Sequence, residues 1–97
     1  MRVISKKTLR EFWINHKDAE QALKSWYKEA SAATWNNPMD IKMDYARASI
    51  LKNNRVVFRI RGNRYRLVVE INYQRMGIFI RFIGTHEEYE NIDAVNI

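Results

Sequence analysis

The 97-residue sequence predicts an α+β fold: two N-terminal helices packed on an antiparallel meander sheet, followed by a short C-terminal helix. Three observations predict it. Apolar residues recur at helical spacing as far as Ala33. From Arg47 onward they alternate with polar ones at a period of two. Finally, Thr85 followed three residues later by Glu88 is the signature of a capping box.

Taken in order, residues 1–4 read as a short first strand, and Ser5 is a good N-cap for a helix over 6–15. Leu9, Phe12 and Trp13 form its apolar stripe. Asp18 is the expected cap of a second helix running to Ala33, whose Ala19, Ala22, Leu23, Trp26, Tyr27 and Ala30 share one face. Asn36-Asn37-Pro38 ends that helix, and 39–46 is expected to be a loop or a single helical turn. Strands follow near 47–52, 55–61, 64–73 and 77–84. Asn53-Asn54 and Gly62-Asn63 supply the positive-φ residues of two-residue hairpin loops, and 74–77 is a looser turn. The spacing is that of one domain over residues 1–97.

The net charge is +6, but its distribution says more. Residues 47–82 hold nine Lys or Arg against the single acid Glu70, whereas 83–97 hold four acids and no Lys or Arg. A basic stretch of this kind implies an anionic partner such as nucleic acid. Cysteine is absent, which excludes disulfides and thiolate metal sites, and the two histidines, His16 and His86, show no metal-binding pattern. No cofactor is expected. No stretch is long and apolar enough to span a membrane, so the expected compartment is the cytoplasm.

Strand register locates the charge. A two-residue loop at Gly62-Asn63 sets Arg61 opposite Arg64, then Ile60–Tyr65, Arg59–Arg66, Phe58–Leu67, Val57–Val68, Val56–Val69 and Arg55–Glu70. A four-residue loop at 74–77 would add Tyr73–Ile78, Ile71–Ile80, Glu70–Arg81 and Val69–Phe82, with Arg66 beside Thr85. One face is then apolar, carrying Phe82 among others, and ready for the helices. The other carries Arg55, Arg59, Arg61, Arg64, Arg66, Glu70 and Arg81. Like charges paired across strands are destabilising, so the double row Arg61/Arg64 and Arg59/Arg66 reads as a site awaiting phosphate. The capping box brings His86 and the start of the last helix to the same end of the sheet. His86 is either a capping-turn residue or a proton-transfer group. Tyr89 either presents its hydroxyl alongside His86 or packs on the sheet. Arg55 and Arg81 either pair with Glu70 or join the basic surface. Trp13, Trp26 and Tyr27 belong to the core by their spacing, whereas Trp35 has no assigned place. Tyr65 falls on the apolar face, and His16 reads as ordinary surface.

The run Val56-Val57-Phe58-Arg59-Ile60-Arg61-Gly62-Asn63-Arg64-Tyr65-Arg66-Leu67 resembles the central motif of the HigB-type toxins, a branch of the RelE-like mRNA interferases. Ile80-Arg81-Phe82-Ile83-Gly84-Thr85-His86-Glu87-Glu88-Tyr89 is similar to their closing motif. The opening residues 1–9 and the segment Ala46–Leu51 extend the likeness over most of the chain. Arg59 stands where the family commonly has asparagine, and Glu90 where aspartate usually follows the tyrosine.

The resemblance implies a RelE-like fold and a toxin that cuts messenger RNA in the ribosomal A site. It also implies a HigA-like antitoxin with a helix-turn-helix domain. The chemistry implied is attack of a ribose 2′-hydroxyl on its own 3′-phosphate, which needs no metal. Arg66 and Arg61 are the candidates for the scissile phosphate, His86 for proton transfer and Tyr89 for assisting it. Arg59, Asn63, Arg64, Lys52 and Arg81 are candidates for holding the flanking RNA. A non-catalytic RNA- or DNA-binding module could use the same basic face.

Overall fold

The computed structural model describes residues 1–97. In chain order the elements are β1 (Arg2–Ile4), α1 (Lys6–Asn15), a 3-10 turn (Lys17–Ala19), α2 (Glu20–Ala32), α3 (Pro38–Asp44), β2 (Ser49–Ile50), β3 (Arg55–Ile60), β4 (Tyr65–Asn72), β5 (Gly77–Thr85) and α4 (His86–Glu90). This is the expected α+β architecture, a five-stranded sheet of order β1-β5-β4-β3-β2 with helices packed on one face. The meander is antiparallel from β2 to β5, but β1 joins β5 in parallel, which makes the sheet mixed.

Local chemistry sets the helix starts. The Ser5 side chain accepts from Lys7 N–H at 3.2 Å and begins α1, which buries Leu9 and Trp13. The second helix departs from expectation. Asp18 does not cap it but sits in the 3-10 turn, and α2 begins at Glu20 without a side-chain cap. The carboxylate expected at a helix start is spent elsewhere. Pro38 also does more than stop a helix. Asn37 accepts from Asp40 N–H at 3.1 Å, and Pro38 occupies the first turn of α3, where a missing N–H costs nothing. The segment 39–46 is therefore mostly helical.

The principal core lies between these helices and the sheet. Leu9, Trp13, Leu23, Trp26, Trp35 and Ile41 meet Val56, Phe58, Ile60, Tyr65, Leu67, Val69, Ile71 and Ile78. Trp35 has a clear place: it is buried, stacks on Phe58 with centroids 6.0 Å apart, and donates its Nε1–H to Asp44 at 2.9 Å.

Register is as expected for β3 and β4 over all six pairs, from Arg55↔Glu70 to Ile60↔Tyr65. The loop between them differs. Positive φ falls on Arg61 (53°) and Gly62 (65°), so 61–64 is the turn and Arg61 and Arg64 are not strand partners. The β4–β5 hairpin differs more. It closes on Asn72↔Gly77, runs to Val69↔Ile80, and resumes at Val68↔Phe82 after a bulge that leaves Arg81 unpaired. The extra residue changes which side chains share a face. Phe82 leaves the helix-facing side where it was expected, and Arg66 lies opposite Gly84 rather than Thr85.

The outer face is consequently not bare. Val57, Val68 and Ala94 form a second buried cluster, against which Leu51, Phe82, Tyr89, Ile92 and Ile97 pack. The residues after α4 thus cover one half of the outer face, and the arginines occupy the remainder. No helix is long and apolar enough to cross a membrane.

Candidate nucleic-acid interface

Arg66 is the centre of the exposed half. On β4 it points to the outer face opposite Arg59, yet it is only 8% exposed and is the one charged residue among the buried ones. Its guanidinium donates to the Asn63 backbone carbonyl at 2.7 Å. Gly84 across from it presents no side chain, and a Cβ there would come within 2.6 Å of the Phe82 ring and 2.9 Å of the Glu88 carboxylate.

Asn63 also gathers two other arginines. Its side-chain carbonyl accepts from Arg59 at 2.8 Å and from Arg47. Arg47 is not among the residues that sequence reasoning singles out. The signal that finds it is the β2–β3 register, which pairs Ser49 with Val57 and, carried two residues further, sets Arg47 beside Arg59. Arg47, Arg59, Arg66 and Gly84 thus form one row across four strands, roughly 14 Å long at the usual strand spacing.

The electrostatics are unfavourable without a ligand. Burial, then the neighbouring Arg59, hold the Arg66 guanidinium below the usual arginine range; Arg47 adds to this, while Tyr89 and Glu90 oppose it. Three guanidiniums share one asparagine, and a phosphate set among them would relieve both the repulsion and the desolvation.

At the β5 end of the row, α4 carries the remaining candidates. Thr85 accepts from Glu88 N–H at 3.1 Å and Glu88 accepts from Thr85 N–H at 2.8 Å, completing the expected capping box. The first turn also holds Glu87 and Glu88, so the helix start is already matched with negative charge and contributes no anion site. His86 is about half exposed, with Nε2 2.6 Å from Glu90 Oε1 and Nδ1 unbonded. It lines a cleft of about 410 Å³ with His16, Arg64, Tyr65, Thr85 and Glu87. Tyr89 packs its ring on the second cluster, close enough for its phenol to act on Arg66. Of the two readings left open for Tyr89, packing on the sheet is the one the structure shows.

Four candidates are not brought to the row. Arg61 and Arg64 reach to the helix side, where Asp18 Oδ2 lies 3.6 Å from Arg61 Nη1 and 3.1 Å from Arg64 Nε. Arg81 is committed to Glu70 through Nε and Nη2, at 3.1 and 2.6 Å, and Arg55 takes the other carboxylate oxygen at 3.2 Å. Lys52 sits in the β2–β3 turn, a six-residue strand and roughly 20 Å from the Arg61–Arg64 turn.

The Asp18 cluster fastens this turn to the helices. Asp18 also accepts from the Tyr65 hydroxyl at 2.6 Å. That hydrogen bond is the largest influence and, aided by Arg64 and Arg61, holds its carboxyl below the ordinary value of 3.8 against burial, which opposes it more strongly than either arginine helps. A lowered folded value means that the contact stabilises above the ordinary value and is lost as pH falls through the folded one. Asp18→Asn is therefore expected to flatten the acid limb of the stability curve below about pH 4. Urea unfolding at stepped pH measures this, and superimposable limbs would remove Asp18 as the fastening.

The protein is thus an α+β sheet with helices behind it and, in front, a row of three arginines of which Arg66 is nearly buried. The sequence model of the HigB_toxin family, the RelE-like toxic component of a toxin-antitoxin system, matches residues 19–92. The chain belongs to this family. The matched segment contains the whole arginine row and α4. No curated protein matches the chain at a significant level. As the toxic component of such a system it has an antitoxin as its partner.

Proposed function

We propose that this toxin is a ribosome-dependent endoribonuclease that cuts messenger RNA along the arginine row. The observation that carries the reading is Arg66: a nearly buried guanidinium pressed by Arg59 and Arg47, with an imidazole and a phenol on the adjoining helix.

In the proposed reaction a ribose 2′-oxygen attacks the adjacent 3′-phosphorus in line with the leaving 5′-oxygen. The phosphorus–oxygen bond to that 5′-oxygen breaks, leaving a 2′,3′-cyclic phosphate and a 5′-hydroxyl. Negative charge accumulates on the phosphoryl oxygens, and Arg66, nearly buried, neutralises it where water is scarce. Arg59 and Arg47 hold the flanking backbone, and Asn63 holds the three arginines in relation to one another. One proton must leave the 2′-hydroxyl and another must reach the 5′-oxygen. His86 has its Nδ1 available for one of these, with Glu90 orienting the ring through Nε2. Tyr89, on the same helix as His86, assists. Arg61 has no part in the proposal, because Asp18 draws it to the other side of the turn. The partner that silences the site is a HigA-like helix-turn-helix antitoxin, and the site of action is the cytoplasmic ribosome.

The test is induced expression in bacteria with 5′-end mapping of messenger RNA. Growth arrest with codon-phased cuts is expected. His86→Ala should lower cutting by about a hundredfold without unfolding the protein, since the side chain is exposed. Unchanged cutting by His86→Ala would remove it from the chemistry. Soluble, folded wild-type protein giving neither arrest nor cuts would leave a non-catalytic nucleic-acid-binding module.

A further inference from the structure

The outer face of the sheet has a third part. The arginine row occupies one end and the residues after α4 cover the middle, but the corner made by β1 and the β4–β5 turn is open. Register sets Arg2 beside Gly77, Ile4 beside Phe79 and Gly77 opposite Asn72, so these side chains share that corner. With Arg75 of the turn they line a cleft of about 400 Å³. Its floor is apolar. Ile4 is 38% exposed, and Gly77 leaves the Phe79 ring uncovered on one side, where even a Cβ would sit 3.5 Å from it.

The charge around this floor is uncommitted. Glu70 holds Arg55 and Arg81 at the inner margin, whereas Arg2 and Arg75 are exposed and pair with no carboxylate. Their frame is fixed: Arg2 N–H donates to the Met76 carbonyl at 2.8 Å, and Arg75 N–H to Asn72 Oδ1 at 3.0 Å. An apolar floor edged by unpaired guanidiniums complements a partner that brings carboxylates and an apolar side chain together. A second copy of the chain would instead bring its own net charge of +6 to this corner. RNA would satisfy the guanidiniums but gains nothing from Ile4, and Arg81 already lies over the Phe79 ring at 5.8 Å, where a base would stack. Membership of a toxin-antitoxin family supplies a protein partner.

We infer that this corner is a docking surface for the antitoxin. It takes an acidic segment whose carboxylates meet Arg2 and Arg75 and whose apolar side chain lies on Ile4 and Phe79 over Gly77. The inference rests on the family and not on the nuclease. Asn72 lies six residues beyond Arg66 on β4, roughly 20 Å, so the corner and the arginine row are separate surfaces.

The test is calorimetric titration of the purified toxin with its purified cognate antitoxin. Wild type is compared with Arg2→Glu/Arg75→Glu and with Lys7→Glu/Arg10→Glu on the exposed side of α1. Both doubles exchange two positive charges for two negative ones. The corner double should bind at least about tenfold more weakly, because like charges now face each other, and the α1 double within about threefold of wild type. In the wild-type complex the Gly77 and Phe79 amides should shift in NMR spectra, a readout that stands whether or not the variants fold. Equal losses in both doubles, unchanged binding by the corner double, or no shift at those amides would each overturn the docking surface. Loss of ribosome binding with antitoxin affinity intact would make the corner an RNA surface, and loss of self-association alone a contact between copies. Messenger RNA cutting by the corner double should equal that of wild type. Antitoxin binding weakened only at the corner, by a toxin that makes no cuts, would sink the nuclease and keep the docking surface. Cuts with antitoxin affinity unchanged in the corner double would do the reverse.

Discussion

Arg66→Ala is expected to abolish messenger RNA cleavage and growth arrest, a loss of about a thousandfold, with stability changed by less than about 1 kcal/mol. The two halves of this expectation have different origins. In the proposed reaction, Arg66 would be the charge closest to the phosphoryl oxygens in a partly dry setting, where a donor is worth most. In the folded protein, the same side chain is desolvated and repelled by Arg59 and Arg47. Its removal forfeits the bond to the Asn63 carbonyl but relieves that repulsion. Arg66→Lys should recover little, because a point charge replaces a planar fork that spans phosphate oxygens. Mapped 5′ ends and thermal melts on the same variants test both parts. Persistent cutting by Arg66→Ala would place the catalytic charge elsewhere. A collapse of stability would make the residue structural first.

Phe58→Ala is expected to have the largest effect on stability, about 3–5 kcal/mol, out of the roughly 5–15 kcal/mol that holds a domain together. The ring is 1% exposed and meets Trp26 at 5.4 Å, Trp35 at 6.0 Å and Tyr45 at 5.1 Å. The ring ties the sheet to Trp26 of α2 and to Trp35 and Tyr45 on either side of α3, and rigid aromatic neighbours are slow to close a cavity. For a domain of this size the melting temperature should fall by roughly 15 °C or more. Phe58→Leu should cost much less, since it keeps most of the volume. Denaturant titration decides the matter: a cost under about 1 kcal/mol for the alanine variant would mean that the three aromatic rings repack without it.

Part of the site is legible in the residues themselves. The β3–β4 pairing is legible because alternation in both strands permits one register without burying charge, and that register places Arg59 opposite Arg66. The Ser5 cap and the Thr85–Glu88 capping box are legible because capping is a contact between residues three apart or fewer. Arg47 is hidden because β2 has only two paired residues, too few for alternation to announce a face. The bulge at Arg81 is hidden for a related reason. In Ile78-Phe79-Ile80-Arg81-Phe82-Ile83 almost any phase looks apolar, so composition cannot say where a residue was inserted.

What the sequence determined alone is therefore the local and periodic part of the protein: the α+β class, the paired arginines of the central hairpin, and the capped helix that carries His86. These follow from interactions whose partners lie within one turn or across one tight hairpin, where chain connectivity limits the choices. Only the tertiary structure decided how the charges were shared. Asp18 draws Arg61 and Arg64 to the helix side, Glu70 occupies Arg55 and Arg81, and Asn63 gathers Arg47, Arg59 and Arg66. Ion pairs between exposed groups carry no periodic signature, because a long flexible side chain can reach any carboxylate the fold brings within a few ångströms. The nine basic residues of 47–82 are alike in sequence. Arg47, Arg59 and Arg66 are the ones that an asparagine, and no acid, brings together.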